Sequence, residues 1–371
     1  MGGIIGLSFA AYSILLTGLV FLGYFKQRRK EDQRKHSLDR VLLDELTVIV
    51  PFRNEANRIA VLLESINKSC SLPHTTLFVD DHSSDDTADV IEEKLQTDCF
   101  RLLRLPSGVE GKKQAIREAM KEVRTKWVLS MDADVEFAAT YFQELEKLGD
   151  ADAFILPVKM KSEHWFHRLF ELDVLLINAV NAGINGWSRP IIASGANLLY
   201  SKEAFEIHDR FEEHRHMPSG DDIYLLRDFR NGGAKVALST NPALAIVTET
   251  PQSFREFIHQ RLRWIAKTGD VGDHLSTFLS VLQASFTFFF FGLFIHLLIA
   301  SQFSLALITL LIKTCVDLLV FFPYFKRMQR IKSWLFLPLY ELFFPLYSLL
   351  ILALMYTYKP VWKGRKLSRN F

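Results

Sequence analysis

The sequence has few cysteines and almost no excess of either charge. Its 371 residues include three cysteines, Cys70, Cys99 and Cys315, and the formal net charge at pH 7 is +2. The cysteines are isolated, without a disulfide framework or a metal-ligand spacing, and this favours a reducing compartment. A chain this close to neutrality lacks the basic field of a nucleic-acid-binding protein, so we expect no nucleic-acid partner.

Long hydrophobic runs are abundant, and they are concentrated at the two ends of the chain. Hydrophobic residues make up 49% of the sequence. Residues 4–25 are almost wholly apolar, long enough to cross a bilayer, and followed by a basic cluster at 26–30. A cleaved signal peptide would carry its charge before the apolar run. We therefore interpret residues 1–25 as a retained transmembrane anchor and residues 26–45 as a basic cytosolic linker.

The last part of the chain, residues 271–371, is predicted to be a membrane region. Segments 278–300 and 304–325 are separated by a very short polar break, so they are expected to form a helical hairpin. The hairpin returns to a second basic cluster at 326–330, which the positive-inside rule places in the cytosol. This pattern predicts a multi-pass membrane protein, which we expect in the cell inner membrane with its middle domain in the cytosol.

A further hydrophobic segment, residues 334–358, is interrupted by Pro338, Glu341 and Pro345. If it crosses the membrane, the tail at 359–371 lies outside and breaks the positive-inside trend. A kinked re-entrant or interfacial segment would keep that tail inside, provided that protein or water surrounds the broken backbone. Both alternatives stay open. The basic residues of the tail are Lys363, Arg365, Lys366 and Arg369.

The middle of the chain, residues 46–270, has the mixed composition of a globular α/β domain. Residues 47–51 and 76–79 read as short buried strands with a helix between them, and residues 126–131 read as another strand. Strands alternating with helices indicate an open, mostly parallel sheet. In such sheets ligands bind at the carboxyl ends of the strands.

Paired carboxylates follow two of these strands. Asp80 and Asp81 end the second strand, and Asp132 and Asp134 follow the strand at 126–131. Each pair alone also fits a turn or a helix cap. Hard oxygen ligands are nevertheless what Mg²⁺ or Mn²⁺ takes when it also holds substrate phosphates. If the pairs share one crevice, they predict a metal-dependent site for a diphosphate.

Two more motifs are weak when they are taken singly. Asp221 and Asp222 fit the favourable acidic start of a helix. Residues 260–264, Gln-Arg-Leu-Arg-Trp, lie in an apparent helix just before the membrane region, where Trp and Arg also serve as interfacial anchors.

Taken in order, these motifs are far more specific. The chain resembles the family 2 glycosyltransferases with the GT-A fold, in the membrane-integrated branch that includes cellulose and hyaluronan synthases and lipid glycosyltransferases. The resemblance covers about residues 46–268, and the QxxRW element at 260–264 is its most specific part. The matching segments are 48–55, 79–87, 111–115, 132–134, 194–197, 220–222 and 260–264.

The resemblance implies roles for the residues that would bind the donor. Asp80 and Asp81 would hold the nucleoside, and Lys112 would lie beside the nucleotide. Asp132 would approach the ribose and the diphosphate. Asp134, together with Asp132, would bind the divalent metal, Mg²⁺ or Mn²⁺.

The resemblance also implies the catalytic group and a cover for the site. Asp222 matches the general base of the family. Gln260, Arg263 and Trp264 would close over the diphosphate and the acceptor.

The sequence departs from the family pattern at two positions. Asp221 stands where the family often has Glu, a change that should be tolerable. His82 stands where Gly is common after the two aspartates, so the loop there is expected to differ.

The function implied is inverting transfer of a sugar from a nucleotide-diphosphate sugar, expected to be a UDP-sugar, to a hydroxyl of a lipid or lipid-linked acceptor. Three or four membrane segments are few for a polymer pore, which favours transfer of one sugar. A processive polysaccharide synthase, with or without a partner subunit, is the alternative within the family. A catalytically silent membrane scaffold of the same fold is the alternative from another class.

Overall fold

The computed structural model describes residues 2–35, 40–95, 97–214, 220–271, 273–355, 357, 361–362 and 365–366. Most of the C-terminal tail, on which the topology argument for the last hydrophobic segment depends, lies outside these residues.

Short strands are numerous, and ten of them lie between Leu46 and Thr248. The strands are β1 (Leu46–Phe52), β2 (Thr75–Asp80), β3 (Phe100–Arg104), β4 (Trp127–Met131), β5 (Val135–Glu136), β6 (Ala153–Ile155), β7 (Val158–Met160), β8 (Asn197–Ser201), β9 (Val236–Leu238), β10 (Ile246–Thr248), β11 (Val361–Trp362) and β12 (Arg365–Lys366).

The helices divide into short ones between the strands and long ones near the two ends. They are α1 (Gly2–Leu16), continued by a π-helical stretch (Thr17–Leu22) into α2 (Gly23–Arg34), then α3 (Ala60–Asn67), α4 (Thr87–Lys94), α5 (Lys112–Glu122), α6 (Tyr141–Leu145), α7 (Trp165–Trp187), α8 (Lys202–His208), α9 (Asp221–Asn231), α10 (Phe254–Val271), α11 (His274–Ile299), α12 (Phe303–Arg327), α13 (Ile331–Trp334) and α14 (Leu337–Leu354).

The chain divides into two compact units. The first comprises residues 1–28, 162–191 and 250–358, and the second comprises residues 29–161, 192–249 and 359–371. Helix α7 lies within the stretch expected from sequence to be the catalytic domain, yet it belongs to the first unit.

The second unit is built on a seven-stranded sheet in the order β3-β2-β1-β4-β8-β6-β9. Strands β3, β2, β1 and β4 are parallel, β8 is antiparallel to both neighbours, and β6 and β9 are parallel to each other. The central strands are buried on both faces, as the apolar runs of β1 and β4 require. The expected fold class, a mostly parallel GT-A-like α/β sheet accompanied by apolar helices, is confirmed.

The expected hydrophobic segments are helical. Four helices among the described residues are long and apolar enough to cross a membrane. The segment with two internal prolines, 334–358, contains α14, and Pro345 lies inside that helix. The four helices are Gly6–Arg34, His274–Ile299, Phe303–Arg327 and Leu337–Leu354.

A cluster of ionisable side chains joins three of these helices within the first unit. Lys313 of α12 lies 2.9 Å from the carboxylate of Asp317 and also contacts the carboxylate of Glu341 on α14. Tyr12 of α1 donates its hydroxyl to Asp317 at 2.5 Å. Charged groups among apolar helices are costly unless they are paired, so this cluster fixes which faces of α1, α12 and α14 meet.

Backbones come very close where the first helix crosses α7, in the first unit. A Cβ added at Gly186 would lie 1.8 Å from the carbonyl oxygen of Gly23, and one at Gly183 would lie 2.7 Å from the Cα of Val20. Small residues permit this approach, as they do between membrane helices in general.

We expect Gly186→Ala to destabilise the protein, because neither backbone can move away cheaply. Overpacking of this kind costs about 1–3 kcal/mol, and sometimes more. The measurement is the thermal unfolding midpoint of the detergent-purified protein. Gly292→Ala is the matched control, since its added Cβ meets nothing within 4 Å. Equal midpoints for the two variants would contradict the close helix crossing.

Candidate active site

The predicted donor-binding carboxylates emerge at one edge of the central sheet in the second unit. Strands β2 and β4 lie on either side of β1 and run parallel to it. Asp80 is the last residue of β2, and Asp132 follows directly after β4. The structure therefore brings the two acidic pairs to neighbouring carboxyl ends of parallel strands, where such sheets bind ligands.

Asp81 is buried at this edge and accepts a backbone hydrogen bond from the loop before α5. Its Oδ2 lies 3.1 Å from the amide nitrogen of Gly111, and only 2% of the residue is exposed. Burial raises the pKa of Asp81, while the Gly111 amide and the nearby Arg53 guanidinium act in the opposite direction. The carboxylate is thus fixed in position by groups on two loops.

His82, which stands where glycine is common after the two aspartates, has an unusual backbone conformation; whether the loop differs stays a prediction. His82 adopts a φ of 58°, in the left-handed region that glycine occupies without strain. Its ring Nε2 lies 3.0 Å from the carbonyl oxygen of Val109. A backbone conformation of this kind explains why glycine suits the position, and the ring contact joins the loop to the segment before α5.

Asp80 and Asp85 have structural roles in the same loop. The carboxylate of Asp80 accepts the amide hydrogen of Ser83 at 2.8 Å and closes the turn. Asp85 accepts from the Thr87 hydroxyl at 2.5 Å and from the Ala56 amide at 3.1 Å. These bonds join the loop after β1 to the loop after β2, so both are held at the sheet edge.

Lys112 joins two of the predicted motifs. Its Nζ lies 2.7 Å from Oδ1 of Asp132 and 3.1 Å from the carbonyl oxygen of Gly195. The Lys112 side chain is 15% exposed and that of Asp132 is 39% exposed, so the pair sits at the mouth of the site. The ammonium group partly neutralises Asp132 and can also face an anionic ligand.

Gly195 connects this ion pair to the predicted general base. The Gly195 amide donates to Oδ2 of Asp222 at 3.1 Å, while its carbonyl oxygen accepts from Lys112 and from the hydroxyl of Ser130. Asp222 is half-buried, in the first turn of α9. One residue, Gly195, therefore separates the Asp132–Lys112 pair from Asp222.

Asp134 lies in a negative electrostatic environment. Burial, together with the charges of Asp132 and Glu55, raises the pKa of Asp134 to about 6, while Arg58 acts to lower it. Carboxylates that repel one another in this way are suited to a cation. Within the described ranges no three His, Cys, Asp or Glu side chains form a metal-binding group. The carboxylate oxygens available here fit Mg²⁺ or Mn²⁺. One or two carboxylates would hold such an ion, and substrate phosphates would complete its coordination.

We expect metal binding to weaken as the pH falls below about 6. A carboxylate must be ionised to bind a metal, and the pKa of Asp134 lies at about 6, so protons compete with the metal below that value. The Mn²⁺ concentration for half-saturation should rise by up to about tenfold per pH unit there and stay nearly constant above pH 7. The measurement is free Mn²⁺ by electron paramagnetic resonance between pH 5 and 8. A half-saturation point that does not vary with pH would contradict it.

The other three predicted residues belong to the first unit. Gln260, Arg263 and Trp264 lie on α10, and all three are partly exposed. Their closure over a donor stays a prediction.

Sequence reasoning missed several residues that shape the site. Gly195 was quoted only as part of a motif, and its backbone bonds to Lys112 and Asp222 depend on loop conformation. Glu55 and Arg53 were likewise quoted only within segment 48–55, and their position after a buried strand was the available signal for a place at the sheet edge.

One part of the chain matches a family model. Residues 47–208 match the glycosyl transferase family 2 model. This segment contains β1, β2, β4 and the acidic pairs at their ends. Over residues 47–208 the chain is therefore similar to glycosyl transferase family 2.

A curated protein is similar to part of this chain. A teichoic acid poly(glycerol phosphate) polymerase of Staphylococcus epidermidis is 27% identical over 183 residues, which is 46% of this chain. The match covers 24% of the relative, so this chain spans about a quarter of the length of the protein it matches.

Solved structures of similar proteins include two glycosyltransferases. A mannosyltransferase from Pyrobaculum calidifontis, in complex with GDP-Man and Mn²⁺, is 18% identical with a TM-score of 0.46, covering 93% of this chain and 99% of that one. A glucosyl-3-phosphoglycerate synthase from Mycobacterium tuberculosis, in complex with Mn²⁺, UDP and glucosyl-3-phosphoglycerate, is 17% identical with a TM-score of 0.40, covering 60% and 80%.

Proposed function

We propose that this chain transfers a sugar from a nucleoside-diphosphate sugar, expected to be a UDP-sugar, to a hydroxyl group of a lipid or lipid-linked acceptor. The observation that carries the proposal is the hydrogen-bonded series Asp132–Lys112–Gly195–Asp222. The Lys112 ammonium is suited to a diphosphate, and Asp132 is suited to the metal that the diphosphate would share. The series connects these two groups to Asp222, a carboxylate that is suited to accept a proton.

In the proposed reaction Asp222 takes the proton of the acceptor hydroxyl. The acceptor oxygen then forms a bond to the anomeric carbon, the bond from that carbon to the diphosphate oxygen breaks, and the nucleoside diphosphate leaves with the electron pair. Attack from the face opposite the leaving group inverts the configuration. A carboxylate in this role contributes about 10²–10⁴-fold to the rate.

Donor binding is assigned to the groups at the sheet edge. Asp81, with Asp80 shaping its turn, would hold the nucleoside, and Lys112 would face the diphosphate. Asp134 and Asp132 would hold Mg²⁺ or Mn²⁺, which when bound supplies positive charge opposite the leaving diphosphate.

The QxxRW residues are assigned to the acceptor side of the donor. Gln260 and Arg263 would contact the diphosphate, and Trp264 would line the acceptor site. An arginine near a leaving diphosphate stabilises the charge that grows there in the transition state.

The acceptor and the location rest on the apolar helices. Four helices suited to a bilayer support a multi-pass protein of the cell inner membrane, with the sheet domain on the cytosolic side because of the basic residues after the first span. A lipid acceptor would then reach the site without leaving the membrane.

The test is a screen of nucleotide sugars for metal-dependent release of nucleoside diphosphate in the presence of membrane lipids. We expect release with one donor and a lipid product that carries a single labelled sugar. A ladder of products would instead identify a processive synthase. Absence of donor binding and of release with every donor would identify a catalytically silent scaffold and overturn the proposal.

A further inference from the structure

A buried ion pair in the first unit joins α7 to α10. The Nε of Arg261 lies 2.6 Å from Oδ2 of Asp173, and each side chain is 5% exposed. The other carboxylate oxygen of Asp173 accepts the hydroxyls of Tyr340 and Tyr347, both on α14. Both oxygens of this carboxylate are therefore engaged, by groups from two different helices.

Arg261 also contacts one of the predicted active-site residues. Its guanidinium lies 4.3 Å from the ring centre of Trp264 and 4.7 Å from that of Phe257. A cation over an indole face is attracted by the ring electrons, most strongly where water is excluded. Arg261 therefore restrains the Trp264 ring.

The surroundings leave Arg261 little freedom. The ring of Phe257 stacks on that of Phe170 at 4.3 Å, and Arg261 also donates to the carbonyl oxygen of Phe170 at 3.4 Å. Two contacts from α7, the Asp173 carboxylate and the Phe170 carbonyl oxygen, thus converge on a side chain of the QxxRW element that had no assigned role in the sequence. Rotation of Arg261 away from Trp264 would break the ion pair with Asp173.

We propose that Asp173 is a positioning residue for sugar transfer: it holds the Arg261 guanidinium against Trp264, and the α14 hydroxyls hold Asp173. This inference rests on the proposed function, in which Trp264 lines the acceptor site. Displacement of a substrate-contacting group by about 1 Å can cost about 10²-fold in rate, so the arrangement has a kinetic consequence beyond stability.

A purely structural pair is the competing explanation. Buried ion pairs are often replaceable by apolar residues without loss of stability, whereas removal of one partner leaves an uncompensated charge. The double variant Asp173→Asn/Arg261→Met separates the two explanations, because it removes both charges and also removes the cation from Trp264.

The experiment compares the full chain, Asp173→Asn and the double variant for melting temperature, kcat and donor KM in detergent. We expect Asp173→Asn to lower both the melting temperature and kcat. The double variant should recover the melting temperature while its kcat stays lower by about 10²-fold at nearly unchanged KM. Recovery of kcat to within about threefold of the wild type would overturn the inference and leave the proposed function intact.

Two further variants are measured in the same way. If the double variant does not fold, Tyr347→Phe removes one hydroxyl from Asp173 and keeps the ring, and we expect a roughly tenfold lower kcat at unchanged KM. An unchanged kcat overturns the inference.

Asp32→Asn, which removes an exposed 3.0 Å pair with Lys35, is the matched control. A wild-type chain that transfers no sugar overturns the proposed function, and this inference with it.

Discussion

Asp222→Asn should lower sugar transfer by about 10²–10⁴-fold while donor affinity stays within a few-fold of the wild type. Asn retains the size of the side chain and an oxygen that can accept the Gly195 amide hydrogen, now 3.1 Å from Oδ2 of Asp222. It cannot take a proton from the acceptor at neutral pH. The loss should therefore fall on kcat, measured by label transferred to the lipid extract.

The matched control for this variant is Asp150→Asn. Asp150 lies in the same unit, its side chain is 51% exposed, and it pairs with Lys235 at 2.9 Å. Exposed ion pairs contribute little to stability, so this variant should transfer sugar at the wild-type rate. If Asp222→Asn also turned over like the wild type, Asp222 would not be the base.

Asp134→Asn should remove the metal dependence of donor binding and lower transfer by roughly 10²–10³-fold. The variant loses the anionic ligand assigned to the metal, and a bound metal supplies several kcal/mol of stabilisation to a leaving diphosphate. In contrast to Asp222→Asn, this substitution should weaken donor binding itself. The measurement is calorimetric titration with nucleoside diphosphate, with and without Mn²⁺.

Glu136→Gln controls for the local change of charge. Glu136 is exposed on β5, two residues from Asp134. Removal of its charge should leave Mn²⁺-dependent donor binding unchanged. Mn²⁺-dependent binding that persisted in Asp134→Asn would assign the metal to other residues.

The buried strands could be predicted because their sequences leave little choice. The segments 47–51 and 126–131 are mostly apolar, and the structure has β1 and β4 there. Strand β3 was missed because its residues are only partly buried or exposed. Strands β6, β7 and β9 have three residues each, too few to show a period.

The sequence did not show where the first helix ends. Residues 26–34 were expected to be part of a basic linker, yet they continue the first helix to Arg34, because Lys, Arg, Gln and Glu are good helix formers. The charge pattern predicts a side of the membrane, but it did not reveal where the helix ends.

The position of the carboxylates after the strands predicted that they lie at one edge of the sheet. It did not predict their hydrogen-bond partners. Parallel topology is enough to bring Asp81 and Asp132 to one edge. The bonds of Gly195 to Lys112 and Asp222 come from backbone groups, which no side-chain pattern reports. Likewise the contact between Asp173 and Arg261 joins residues 88 positions apart and depends on how helices pack.

The most direct test of the central claim is a cryo-electron microscopy structure of the chain in lipid nanodiscs, with Mn²⁺ and a non-hydrolysable UDP-sugar. We predict Mn²⁺ on Asp134 and Asp132, the diphosphate beside Lys112, and Asp222 facing the anomeric carbon from the acceptor side. A nucleotide bound away from the carboxyl ends of β2 and β4, or Asp222 turned away from the sugar, would contradict the account.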